Sequence, residues 1–151
     1  MTPEIINQPL LLLAGVIASG KGPGDIDIRG LWNAYHQAEP GIDNRIDGTW
    51  YELHIGEKLG NGIYSVLTGI RIENIGHLPV EISLKIIPAG KYAHFAHCMK
   101  DGGFGEAFAQ VEAWVKESKT PTKDFGLQLY DSNFNPSDKN SILHIYIPLD
   151  E

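Results

Sequence analysis

One order of elements occurs twice along this chain, and that repetition limits what it can fold into more than any single motif does. Pro9, a Leu-rich run, a Gly-rich turn and a helical stripe are followed 79 residues later (positions 9 and 88) by Pro88 and the same succession. Leu13 then falls on Tyr92, Lys21 on Lys100 and Tyr35 on Trp114. The segments after the helices match at an offset of 76 (positions 52 and 128), which sets Leu67 on Leu143, Glu52 on Gln128 and His54 on Tyr130. The three-residue difference is absorbed in the first helix-to-strand loop. Identity between the halves is low, so order and spacing carry the reading.

Ile28, Leu31, Trp32 and Tyr35 fall at i, i+3, i+4 and i+7, which predicts an amphipathic helix from Asp25 to Ala38, ended by Pro40 and Gly41. Phe104, Ala107, Phe108, Val111, Trp114 and Val115 repeat the spacing, with Asp101 and the following glycines as the start and Glu117 near the end. Strands are expected at Leu10 to Ala18, Trp50 to Gly56, Ile63 to Glu73, Glu81 to Ile87, Lys91 to Met99, Phe125 to Tyr130 and Ile142 to Pro148. Two helices and seven strands in this order describe an α+β fold: two pseudo-symmetric βαββ units forming an antiparallel sheet with its helices on one side and a cleft where the units meet. A single domain spanning 1–151 is expected, with halves of 1–75 and 76–151.

Charge and cysteine content exclude several function classes. The net charge of −7 offers no basic face to neutralise phosphates, so nucleic acid is not an expected partner. One cysteine, Cys98, can form neither an internal disulfide nor a Cys-rich zinc site, which suits a reducing, cytoplasmic setting. The apolar run Leu10–Ala18 is about half of what a membrane-spanning helix needs. It is no secretion signal either, because Glu4 and no Lys or Arg precedes it.

Most chemistry-bearing motifs read as structure. Gly15 to Lys21 has the G-x-x-x-x-G-K pattern of a phosphate loop, but Gly22 stands where Ser or Thr must hold magnesium, and Pro23-Gly24 forbids a helix that starts at the lysine. His94 and His97 lie three apart in a strand and face opposite ways, so they cannot share an ion, and no metal or cofactor is expected. Cys98 has His97 and His94 nearby, but adjacent strand residues face opposite ways and a cysteine is most often simply buried, no Ser occupies a G-x-S-x-G elbow, and Glu52, Glu73 and Glu81 are scattered. No catalytic residue is nominated. The aromatic set is the informative one: Trp32, Tyr35, Trp50, Tyr51, Tyr64, Trp114, Tyr130 and Tyr146 lie on the helices and hairpins that meet at the cleft, and rings around an acid or amide suit an organic cation. Trp32 and Trp114 double as core anchors.

Four segments in order resemble the gyrase-inhibitor-like effector-binding domains, which serve as sensor domains of AraC-type activators and as free-standing integron-cassette drug-binding proteins. The most specific is Ile86-Ile87-Pro88-Ala89-Gly90-Lys91-Tyr92-Ala93-His94-Phe95, followed at the right distance by the helix with Trp114. Ile63 to Gly69, Asp124 to Asp131 and Ile145 to Pro148 are similar to other strands of that family. The resemblance implies a non-enzymatic domain with an aromatic groove for lipophilic, often cationic molecules around an acidic residue. Here Gln128 stands at the family's acidic position, and Glu52 at the pseudo-symmetric one can supply the charge. No helix-turn-helix segment precedes the domain, so DNA binding is not expected of it.

The expected binding set is Glu52, Gln128, Tyr130, His54, Tyr146, His144, Trp32, Tyr35, Tyr51, Tyr64 and Trp114. Glu52 and Gln128 should share a face of the sheet with Tyr130 and His54, and period-two alternation extends that face to His144 and Tyr146 on the neighbouring strand. Leu127, Leu129, Leu143, Ile145 and Ile147 then form an apolar set on the other face. A stand-alone small-molecule binding protein is the leading reading. The alternatives are a protein-binding inhibitor, whose groove would be filled by its own side chains, and a hydrolase of a small lipophilic substrate.

Overall fold

The computed structural model describes residues 1–56 and 62–150. In chain order it contains β1 (Glu4–Gln8), β2 (Leu11–Gly20), α1 (Ile28–Ala38), β3 (Arg45–Gly56), β4 (Tyr64–Ile72), β5 (Ser83–Ile87), β6 (Gly90–Cys98), α2 (Phe104–Ser118), β7 (Phe125–Asp131) and β8 (Ile142–Pro148). The helices start at the first residue of each apolar stripe, three positions after the Asp25 and Asp101 starts expected from sequence. Asp27 caps α1 by accepting from the Gly30 amide at 3.0 Å, while Pro23–Asp25 form a separate 3₁₀ turn. At α2 the Glu106 carboxylate accepts from the Gly103 amide at 3.0 Å, and Lys119 ends the helix in a left-handed conformation.

All eight strands form one antiparallel sheet in the order β1-β6-β8-β7-β3-β4-β2-β5. The order is symmetric about the β3–β7 seam once β1 to β4 are matched with β5 to β8. Glu52 pairs directly with Gln128 on that seam, so the residue pair related by the 76-residue offset is also a register pair. The leading strands of the two halves are exchanged: β1 adds to β6 and β5 adds to β2.

β1 is the strand that the sequence pattern does not announce. Glu4–Gln8 has no alternation to mark a buried face, and Ile5 is 50% exposed, so its partner, the open edge of β6, is what makes it a strand. β3 also begins at Arg45 rather than Trp50, with a register irregularity between those residues.

The two faces of the sheet hold different cores. α1 covers β2 and β4 through Tyr35, Ala38, Ile70 and Ile72, and α2 covers β6 and β8 through Ala107, Val111, Phe95, Leu143 and Ile145. On the other face the sheet curls on itself, so that Leu11, Leu13 and Ile87 from one end meet Tyr92 from the other around Tyr51, Leu53 and Leu127. Close strand approach helps it curl: Gly15 pairs with Gly69, and a Cβ at Gly15 would stand 2.2 Å from the Thr68 carbonyl oxygen. The glycine that opens the G-x-x-x-x-G-K pattern is thus a packing requirement of β2.

Alternation along each strand holds, but its extension from β7 to β8 does not. Leu127 pairs with Tyr146, Gln128 with Ile145 and Leu129 with His144, so even positions of β7 share a face with odd positions of β8. Leu143, Ile145 and Ile147 therefore join Gln128 under α2, and Leu127 and Leu129 face the other way with Tyr146 and His144.

Candidate functional site

Between α1 and α2 the seam strands β3 and β7 lie open to a groove, and its centre is a buried carboxylate. Glu52 is only 5% exposed. Its Oε1 accepts from the Trp32 indole N–H at 2.9 Å, and its Oε2 lies 2.8 Å from His54 Nε2 and 3.5 Å from the Tyr130 hydroxyl. The same hydroxyl donates to Gln128 Oε1 at 2.5 Å. His54 Nδ1 lies 2.7 Å from the Tyr64 hydroxyl. α1 supplies the indole because Trp32 sits one position past Leu31, whose side chain is buried and whose carbonyl accepts from Thr68 Oγ1. Burial and the Glu52 carboxylate push the Tyr130 phenol well above its ordinary range, so it stays a neutral donor. Tyr64 is raised in the same way, by burial first and Glu52 second.

This arrangement satisfies a buried anion with donors on aromatic rings, the condition for keeping a charge in a low-dielectric site. It also leaves His54 with both ring nitrogens engaged. The site as built is therefore suited to holding charge in place.

Trp32 and Tyr130 meet edge to face at 5.9 Å and divide the groove. On the Trp50 side lies a cavity of about 370 Å³ walled by Trp32, Trp50, Tyr130, Phe134 and His36. On the His54 side lies a cavity of about 380 Å³ between Tyr64, Phe108, Val111, Gln128, Ile145 and Ile147, continued by another of about 400 Å³ toward Lys116 and Lys123. Each is in the range of drug-sized sites. Among the described residues no group of three or more His, Cys, Asp or Glu stands close enough to hold a metal ion. No described helix is long and apolar enough to cross a membrane.

Of the residues singled out from sequence, Glu52, Gln128, Tyr130, His54, Trp32 and Tyr64 come together here. Tyr146, His144 and Tyr51 do not: they lie on the opposite face, for the register reason given above. Tyr35 is fully buried, donates to Glu39 Oε2 at 2.7 Å and walls none of these cavities. Trp114 stands edge-on to Phe95 at 5.6 Å in the α2 core and also walls none of them. The expected binding set left out Trp50, His36, Phe108 and Phe134, although Trp50 stood in the aromatic set placed at the cleft. Trp50 was within reach, two positions from Glu52 on one strand face, and so was His36, one turn on from Trp32. Phe134 lies beyond β7, and no local pattern points it at Tyr130, which it meets at 4.9 Å.

A family model described as integron-associated effector binding protein matches residues 4–149. The transcriptional regulator BrlR of Pseudomonas aeruginosa is 26% identical over 152 residues, covering 99% of this chain and 56% of that protein. The chain thus spans little more than half the length of the curated relative it matches. Among solved structures, SAV2435 bound to tetraphenylphosphonium matches with a TM-score of 0.77 at 16% identity, over 99% of this chain and 94% of that one. The integron cassette protein VCH_CASS2 from the mobile metagenome of Vibrio cholerae matches with a TM-score of 0.64 at 17% identity, over 99% and 96% of the two chains.

Proposed function

The chain belongs to the integron-associated effector-binding protein family, and from that premise we propose that it binds a lipophilic aromatic cation in the groove between α1 and α2. The observation that carries this reading is the buried Glu52 carboxylate, which accepts from the Trp32 indole and lies 3.5 Å from the Tyr130 hydroxyl, two rings that also wall the 370 Å³ cavity. The cation sits in that cavity, against Trp32, Trp50, Tyr130 and Phe134. An indole whose N–H donates to an anion has a more electron-rich face, so Glu52 strengthens the attraction of Trp32 for a cation, a contact worth about 0.5–2 kcal/mol per ring. Gln128 orients Tyr130 instead of supplying charge.

Three features support a small molecule over a protein partner: the cavities are open rather than filled, they lie on the helix-covered face, and a fold neighbour is bound to tetraphenylphosphonium. Two of the three tryptophans wall the groove, so their fluorescence reports on its occupancy. Titration with tetraphenylphosphonium should quench that signal saturably and raise the melting temperature, because a ligand that binds the native state alone stabilises it by mass action. No quenching and no thermal shift at millimolar ligand would overturn the reading.

A further inference from the structure

The curled face away from the helices contains a second, smaller opening that the groove does not use. Arg71 on β4 pairs with Leu13, and Gly69 two residues earlier pairs with Tyr51, so the guanidinium emerges on the same face as the Tyr51 ring. A cavity of about 40 Å³ lies there between Arg71, Tyr51, Tyr146 and Gln8, floored by Leu11, Leu127 and Leu129. Its volume is little more than one water's share of the liquid.

The polar groups around this opening are the Arg71 guanidinium, the tyrosine hydroxyls and the Gln8 amide, all of which carry donors. Among the described residues no carboxylate pairs with Arg71; the ion pairs there are Arg45–Asp47 and His54–Glu52. Burial raises the Tyr51 phenol, with Arg71 opposing, and it raises Tyr146 as well, so both hydroxyls stay protonated. The Tyr92 hydroxyl at the same opening is already committed to the Pro88 carbonyl at 2.8 Å. Glu4, whose charge the Tyr146 phenol senses, is exposed on the edge strand β1.

We propose that Arg71, Tyr51 and Tyr146 form an anion site that takes a single carboxylate group. A guanidinium matches the two oxygens of a carboxylate, and neutral phenols add donors without adding charge. The leucine floor lowers the local dielectric and strengthens the contact. The cavity accommodates the carboxylate head alone, so the body of the acid extends into solvent. A free organic acid and the C-terminus of a peptide share this chemistry.

Amide chemical-shift mapping by NMR at constant ionic strength tests the site, with acetate replacing chloride. Saturable shifts are expected at Tyr51, Arg71 and Tyr146, and not at the Trp32 indole N–H or along α1. Arg71→Gln should weaken acetate by about tenfold, the worth of one charge-assisted hydrogen bond, and Tyr51→Phe should weaken it less. Both variants should retain the wild-type melting temperature within a few degrees. Arg71→Gln should also leave the response to tetraphenylphosphonium unchanged, which separates failure here from failure of the groove. A short peptide with a free C-terminus, compared with its amidated form, identifies which source of carboxylate the site accepts. Shifts that grow linearly without saturation, or an acetate affinity unchanged in Arg71→Gln, would show that the arginine does not hold the anion and overturn the proposal.

Discussion

Replacing Glu52 by Gln separates the charge of the groove from its architecture. The carboxylate has three neighbours, the Trp32 indole at 2.9 Å, His54 at 2.8 Å and the Tyr130 hydroxyl at 3.5 Å. A glutamine oxygen can still accept from Trp32, and its NH₂ can donate to His54 Nε2 if the imidazole carries its proton on Nδ1 and donates to Tyr64. The contacts to Trp32 and His54 then survive as neutral hydrogen bonds, and the Tyr130 hydroxyl keeps its bond to Gln128 Oε1. Charge assistance on two bonds is lost, about 1–2 kcal/mol in all, and the cost of burying an ion, of comparable size or larger, is lifted with it. Stability should therefore change by less than about 1.5 kcal/mol in either direction.

Binding of a cation behaves differently. A unit positive charge on the far side of the Trp32 ring, roughly 6 Å from the carboxylate, gains ~3 kcal/mol before desolvation at an effective dielectric constant of ~20. A net loss of about 1–3 kcal/mol, a five- to 150-fold weakening, follows in Glu52→Gln. Calorimetric titration of meta-hydroxyphenyl-trimethylammonium against its neutral isostere meta-tert-butylphenol isolates the charge. The variant should lose the preference for the ammonium and bind the neutral phenol within about twofold of wild type. Equal weakening of both ligands would show that Glu52 shapes the cavity rather than recognising charge, and an unfolded variant would refute the hydrogen-bond reasoning.

Other perturbations reach the fold. Gly15→Ala puts a methyl group 2.2 Å from a backbone oxygen of the paired strand and should destabilise by about 3 kcal/mol or more, read as a shift of the urea midpoint. Trp114→Ala removes the edge contact to Phe95 and should cost about 3–5 kcal/mol while leaving tetraphenylphosphonium affinity per folded molecule unchanged. His94 and His144 are hydrogen-bonded to each other at 2.9 Å, and burial lowers both pKa values; His144 lowers His94 further, while Glu4 opposes at His94 and Asp131 at His144. A depressed histidine binds fewer protons folded than unfolded, so stability should be constant above about pH 7 and fall as pH drops below the unfolded value of about 6.5. Thermal melts from pH 7.5 to 5.5 should show a smaller acid loss in His144→Gln than in wild type.

The sequence by itself determined the elements and their sequence order. Helical stripes, Pro9 and Pro88 before matching runs, and the 76-residue offset are local or periodic signals, and they placed both helices and seven of the strands to within a few residues. The 76-residue offset also anticipated Glu52 and Gln128 on one face, and the β3–β7 register pairs them directly. Tertiary structure decided what depends on how strands slide past one another. The β7–β8 register moved His144 and Tyr146 away from the groove, and parity counted along one strand holds no information about that slide. The free edge of β6 turned Glu4–Gln8 into a strand. The geometry between helices and sheet set Trp32 and Tyr130 over Glu52, so that the carboxylate read from sequence as a charge in the ligand cleft is a buried anion acting through the rings above it.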